Sequence, residues 1–276
     1  MPELPEVETI RRCLEQDITG RTIDSVYIKR GSRLLRDTAG ATALRRALSG
    51  RRIERLSRRG KYLVMELDSG GGLIVHLGMT GGLFLVKKGS KSPEHTHLRL
   101  ELGDQSLVMV DPRTFGKVLV CDPGGLETNI VLSRLGPDPF DVSFTAKKLE
   151  ESLKGRRMPL KSALLDQTIA VSGLGNIYVD EVCFRAGVLP WRESGRLSGE
   201  ECDRLHSSIR EVLTEAISFR GTTIRDYRWS ESEGGDFESK LRVYGRSGKQ
   251  CRCCSGLIER SRLGGRSTHF CSRCQR

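Results

Sequence analysis

The sequence predicts an α+β chain: an antiparallel β-sandwich flanked by helices over residues 1–130, a helical region over 131–240, and a metal-bound hairpin over 241–276. Three observations carry that prediction. Seven segments between residues 21 and 121 alternate in polarity or run apolar and β-branched between glycine-rich turns, which is how stacked antiparallel sheets read. After about residue 137 the strand-like segments stop and helical patterns follow one another. Five of the nine cysteines fall in the last 26 residues, four of them as two C-x2-C pairs.

The chain opens with a helix over 5–16, where Pro5 suits the first turn and Glu3, Glu6 and Glu8 suit its positive end. Strands are expected over 21–30, 52–67, 72–77, 82–88, 97–101, 106–110 and 117–121, with a second helix over 42–48. Asp68-Ser69-Gly70-Gly71-Gly72, Gly81-Gly82 and Gly103-Asp104 supply turns between them. The helical region carries patterns over 145–153, 160–167, 177–186 and 198–219; the last opens on a capping box, Ser198 with Glu201, and stops at Gly221. The turn Val171-Ser172-Gly173-Leu174-Gly175-Asn176 offers backbone N–H groups to a phosphate, or is an ordinary tight turn into a helix. Residues 221–237 are polar and lack a period: either a lid over a pocket or a segment without fixed structure.

Composition narrows the class. A chain of 276 residues, 37% hydrophobic and 29% charged, suffices for two or three domains with a sizeable core. Its apolar runs are too short for a bilayer and its charged start is unlike a signal peptide, so a cytosolic or nucleoid protein is expected. A net charge of +11 with pI near 9.4 favours a polyanionic partner.

Cysteines without a secretory signal point to metal or redox chemistry rather than disulfides. Cys13, Cys121, Cys183 and Cys202 lie in apolar or helical stretches and read as small hydrophobes. Cys251, Cys254, Cys271 and Cys274 have the spacing of one tetrahedral zinc site carried by a strand hairpin, with Cys253 a competitor for Cys254. Such a closed site folds a module and does no chemistry itself, so Arg260, Arg262, Arg266 and Arg273 around it are expected to face phosphates.

The first residues admit two readings. Removal of Met1 would leave Pro2 as a free secondary amine, with a pKa of about 8, able to attack a carbonyl-level carbon and form an iminium. Glu3 and Glu6 stand close enough in sequence to move protons beside it, although the same residues also simply begin a helix. Three later stretches share this ambiguity. Arg58-Arg59-Gly60-Lys61-Tyr62 opens a strand with three cations, for which a solvated basic edge is the ordinary explanation. His76-Leu77-Gly78-Met79-Thr80-Gly81 and Asp111-Pro112-Arg113-Thr114-Phe115-Gly116 place an apolar side chain or an arginine on a turn, which suits a wedge into base stacking, or else pack into the core.

Taken together, MPELPEVET at the start, RRGKYL at 58–63, HLGMTG at 76–81, DPRTFGK at 111–117, LLDQ and GLGNIYVDE within 164–181, and VYGRSGKQC with the terminal finger at 243–276 resemble the formamidopyrimidine-DNA glycosylase family over essentially the whole chain. The resemblance implies a bifunctional DNA glycosylase and abasic-site lyase acting on duplex DNA with oxidised purines such as 8-oxoguanine and formamidopyrimidines, with one structural Zn2+; nothing in the sequence demands more than a monomer. It further implies that Pro2 is the nucleophile, Glu3 the acid beside it, Lys61 the residue of the β-elimination step and Arg266 that of the δ-elimination step. Met79, Arg113 and Phe115 would replace the everted base; His76, His95, Arg156, Lys161 and Asn176 would contact DNA. The helical region would be a helix-two-turn-helix domain and 221–237 a lesion-covering loop. A relative of the endonuclease VIII kind acting on oxidised pyrimidines is the alternative enzyme, against which Leu4-Pro5-Glu6-Val7 and the length of 221–237 argue. A protein that binds damaged DNA without cleaving it is the alternative outside catalysis, and retention of Met1 would favour it.

Overall fold

Residues 2–36, 40–222 and 235–276 are described by the computed structural model. The loop expected over 221–237 therefore lies, apart from its ends, outside the described residues. Contacts divide the chain into two compact units, one taking in the chain up to Ser133 and the other Arg134–Thr222 with Asp236–Arg276.

The first unit opens with α1 (Leu4–Ile18), in which Pro5 occupies the first turn and the Glu6 carboxylate accepts the Glu3 backbone N–H at 2.9 Å. Leu4, Val7, Ile10, Leu14 and Ile18 recur every three or four residues and are all buried. The stripe begins at Leu4 and ends at Ile18, so the helix outruns the expected 5–16 at both ends.

The strands that follow are β1 (Ser25–Ile28), β2 (Ile53–Arg59), β3 (Tyr62–Leu67), β4 (Gly72–His76), β5 (Gly82–Lys87), β6 (Thr96–Leu102), β7 (Gln105–Val110) and β8 (Lys117–Cys121), with α2 (Ala41–Leu48) between the first two. They form two antiparallel four-stranded sheets, ordered β1-β6-β7-β5 and β2-β3-β4-β8. Val26, Leu56, Leu63, Met65, Val75, Leu98, Leu100, Met109 and Val118 of both sheets share one buried cluster with Val7, Ile10 and Leu14 of α1. The stretch expected as strand over 52–67 is two strands. Arg59 pairs with Tyr62, leaving Gly60 and Lys61 as a two-residue hairpin loop, and Gly60 supplies the left-handed φ of 55° that such a loop needs. Lys61 is thereby a turn residue. Two short helices, α3 (Gly125–Thr128) and α4 (Ile130–Ser133), end the unit.

The second unit contains α5 (Ala146–Leu153), α6 (Leu160–Leu165), α7 (Asn176–Ala186) and α8 (Gly199–Ser218). The Ser198 hydroxyl accepts the Glu201 N–H at 3.2 Å while the Glu201 carboxylate accepts the Ser198 N–H at 2.8 Å, so the expected capping box forms in both directions. Leu149, Leu153, Val179, Val182, Leu205, Ile209 and Val212 are buried where α5 and α7 pack on α8. The chain then forms the hairpin β9 (Glu259–Leu263) and β10 (Arg266–Phe270), closed by Gly264 and Gly265 at φ 55° and 76°. The sequence sets this terminal segment apart, yet it belongs to the same compact unit as the helices, because β10 lies along α7. Among the described residues no helix is long and apolar enough to cross a membrane.

Candidate active site, metal centre and nucleic-acid interface

In the first unit Pro2 and Glu3 are both buried at the N-terminal end of α1, Glu3 to 2% exposure. Helix α1 packs on β2 and β3, the strands that carry the Lys61 loop. Glu8 and Arg58 join the two. The Arg58 Nε donates to Glu8 at 3.1 Å and its Nη1 donates to the Gly60 carbonyl at 3.1 Å, one residue from Lys61. Arg11 and Arg12 also donate to Glu8. Burial pushes the Glu8 carboxyl up, but hydrogen bonds from Arg11 and Arg12 and the charges of Arg11 and Arg58 outweigh it and hold it below its ordinary range. Sequence reasoning passed over Glu8 as one more acid in a first turn. The signal lay in its spacing from Arg11 and Arg12, three and four residues on.

Lys61 itself is 7% exposed. Across the sheet Tyr62 pairs with His76 and His76 with Lys117, forming a row at one end of β3, β4 and β8. The Tyr62 and His76 rings lie 4.8 Å apart. Burial, with the charges of Lys61 and Lys117, lowers the His76 pKa to about 4. His76 is therefore neutral at pH 7. Its Nδ1 accepts the Gly78 N–H at 3.1 Å, which leaves the proton on Nε2 to donate.

The turns read as wedges point outward. Met79 is 42% and Phe115 45% exposed, so the core-packing reading fails for both. The exposed Arg113 guanidinium lies 4.8 Å from the Phe115 ring centroid. His95 is on the surface near Glu94, at a left-handed φ of 60°.

In the second unit the structure separates Lys161 from the other expected DNA contacts. Its side chain is 1% exposed, its Nζ donating to Asp180 at 2.7 Å and to the Ser267 carbonyl at 2.8 Å. A cation so enclosed reaches no phosphate, and the expected direct contact is corrected accordingly. The other Asp180 oxygen accepts the His269 backbone N–H at 2.8 Å, and Asn176 Nδ2 donates to the same Ser267 carbonyl at 3.1 Å. Two side chains from α6 and α7 thus clamp β10 one residue from Arg266, which is exposed at the start of the strand. Arg156 is exposed with its Nε donating to the Ser152 carbonyl. In the 171–176 turn the Ser172 and Gly173 N–H groups donate to the Pro137 carbonyl and Gln167 Oε1, so these two are not available to a phosphate. Glu181 accepts the backbone N–H groups of Arg242, Val243 and Tyr244 at 2.8–2.9 Å and so fixes the lead into the terminal hairpin.

The sulfurs of Cys251, Cys254, Cys271 and Cys274 lie within 4.8 Å of one another. Cys251 and Cys274 are 3.9 Å apart and Cys254 and Cys271 3.6 Å. A tetrahedron with metal–sulfur bonds of about 2.3 Å has edges of about 3.8 Å, so the four thiols can hold one metal ion. Burial would raise Cys251, but N–H groups of Cys253 and Cys254 help bring it down to about 7. Cys253 is exposed and outside the cluster, against the Arg242 guanidinium at 3.6 Å.

The first unit is thus a sandwich headed by a Pro-Glu helix, and the second a helical unit ending in a four-cysteine hairpin. Comparison with known proteins gives the family. Residues 1–118 match the model of the formamidopyrimidine-DNA glycosylase N-terminal domain, and residues 135–228 that of the formamidopyrimidine-DNA glycosylase H2TH domain. The formamidopyrimidine-DNA glycosylases of Desulfitobacterium hafniense and Heliobacterium modesticaldum are 41% and 44% identical to this chain, each matched over 100% of both chains. A Lactococcus lactis FPG mutant in complex with a Fapy-dG containing DNA superposes with a TM-score of 0.92 at 37% identity over 100% of both chains. MutM in complex with carbocyclic 8-oxo-G containing DNA gives 0.90 at 36% identity, again over 100% of both. The chain belongs to the formamidopyrimidine-DNA glycosylase family.

Proposed function

We propose that this chain excises oxidised purines, 8-oxoguanine and formamidopyrimidines, from duplex DNA and then cleaves the strand by β,δ-elimination. The observation that carries the reading is Pro2-Glu3 at the head of α1 in a chain matched end to end by formamidopyrimidine-DNA glycosylases.

A base stacked in a duplex does not present C1′ to an amine, so the nucleotide is everted first, at a cost of a few kcal/mol. Met79, Arg113 and Phe115 fill the gap. The Pro2 amine, freed by loss of Met1, attacks C1′; the C1′–N bond breaks and the base leaves with a proton. Glu3 assists sugar-ring opening and proton transfer. The resulting iminium acidifies the C2′ hydrogen, whose loss, aided by Lys61, expels the 3′ phosphate. A second elimination, aided by Arg266, expels the 5′ phosphate, and hydrolysis of the iminium regenerates the amine. His76, His95, Arg156 and Asn176 contact the DNA, His76 as a neutral donor through Nε2. Lys161 acts by holding β10, and with it Arg266.

Cys251, Cys254, Cys271 and Cys274 hold a Zn2+ whose task is to fold the finger. The three parts of the chain divide the work as a catalytic sandwich to about residue 130, a DNA-binding helical domain with the 221–237 segment covering the lesion, and the finger from 241. The protein acts as a monomer in the compartment that holds the chromosome.

The test compares duplexes carrying one 8-oxoguanine or one thymine glycol. The expected result is excision of 8-oxoguanine at least about tenfold faster, leaving phosphates on both sides of the gap. Faster excision of thymine glycol would establish the endonuclease VIII-like alternative, and binding with both strands left intact would establish the non-catalytic one.

A further inference from the structure

Met79 and the Arg113–Phe115 pair stand on different turns, after β4 and after β7, and one side chain joins those turns. Asp111 is completely buried. Its Oδ1 accepts the Thr80 hydroxyl at 2.7 Å and the Arg113 N–H at 3.2 Å, and its Oδ2 accepts the Gly116 N–H at 2.8 Å. Its backbone is fixed too, with its N–H on the His95 carbonyl at 3.1 Å and its carbonyl 3.2 Å from His97 Nε2. One carboxylate thus bonds to the residue after Met79, to Arg113 itself and to the residue after Phe115.

The turns also meet directly. A Cβ on Gly78 would lie 2.5 Å from the Phe115 carbonyl carbon, so only glycine permits this approach. Thr114, between the two exposed side chains, is at a left-handed φ of 55°, a strained conformation that the bonds on either side of it maintain. The exposed tips therefore rest on a buried, over-determined base.

We infer that Asp111 is a positioning residue that locks Met79, Arg113 and Phe115 into one pre-set wedge, so that base eversion proceeds without ordering two separate turns. The inference rests on the wedge role proposed above. A loose turn would lose conformational freedom on insertion and slow the step in which the base leaves the stack. An asparagine at 111 cannot reproduce the arrangement, because its NH2 group would confront either the Arg113 or the Gly116 N–H.

The test uses the full-length protein as wild type, Asp111→Asn, Thr80→Val and Met79→Ala. It measures single-turnover excision of 8-oxoguanine in a duplex, fluorescence of a 2-aminopurine beside the lesion as a report of eversion, and cleavage of a duplex whose abasic site is already formed. Asp111→Asn is expected to slow excision and the fluorescence change about tenfold or more, while cleavage at the abasic site stays within about twofold. Thr80→Val, which keeps shape and removes one bond, should act in the same direction by less. Wild-type excision rates in both variants, or equal losses on both substrates, would overturn the brace. Met79→Ala separates the two readings. If it leaves the fluorescence change intact, the wedge role itself is wrong; if it weakens that change while the other two variants do not, the brace alone fails.

Discussion

Replacing Cys254 by Ser is expected to abolish metal binding and DNA affinity together, lowering affinity for a lesion duplex at least about 100-fold. The four sulfurs lie within 4.8 Å of one another, close enough to converge on one metal ion, and the hairpin that bears Arg260, Arg262 and Arg266 joins Cys254 to Cys271. With three thiolates the finger loses its closure, and those guanidinium groups lose their common frame. Zinc content by mass spectrometry and binding by fluorescence anisotropy read the two effects. Cys253 is the obvious substitute ligand, but it faces Arg242 outside the cluster, so rescue through it would need the 251–254 turn to rebuild. A fully active variant with a full metal complement would show that such rebuilding occurs.

The Lys161→Met substitution is expected to destabilise the second unit by about 3–5 kcal/mol, because it leaves the fully buried Asp180 carboxylate without its cation. Methionine fills the volume of the lysine stem, so the loss reports the ammonium group, its charge on Asp180 together with its bond to the Ser267 carbonyl, and no cavity. Pairing it with Asp180→Asn should recover part of the loss, since a neutral amide needs no counter-charge, and thermal unfolding of the single and double variants measures this. The chemistry should change as well. Ser267 would lose one of the two donors holding its carbonyl, freeing the start of β10 where Arg266 sits, so products of β-elimination alone should accumulate over the doubly cleaved strand. Unchanged stability, or an unchanged product ratio in a destabilised variant, would contradict this account of Lys161.

These two cases also mark what can be read from the chain alone. Local chemistry was legible: the two-residue alternation and glycine turns of the sandwich, the Ser198–Glu201 box and the cysteine spacing, whereas the turns at Met79 and Phe115 fit an exposed wedge and core packing alike. Each legible feature depends on residues a few positions apart. The burial of Lys161 was not legible, because its partner Ser267 lies 106 residues away and no local pattern distinguishes an enclosed lysine from a surface one. The merging of the finger with the helices was hidden for the same reason, since it depends on Asp180 and Glu181 of α7 reaching His269 and 242–244. The break between β2 and β3 was visible in Gly60, yet continuous β-forming residues on both sides masked it. Asp111 sat inside a motif whose neighbours drew attention, and its bond to Thr80 spans 31 residues.

The most direct measurement is borohydride reduction of the protein, purified with its N-terminus confirmed as Pro2, during reaction with an 8-oxoguanine duplex. An irreversible protein–DNA adduct whose linkage maps to the Pro2 nitrogen is expected. No adduct from active, correctly processed protein, or a linkage mapping to Lys61 instead, would contradict the central claim.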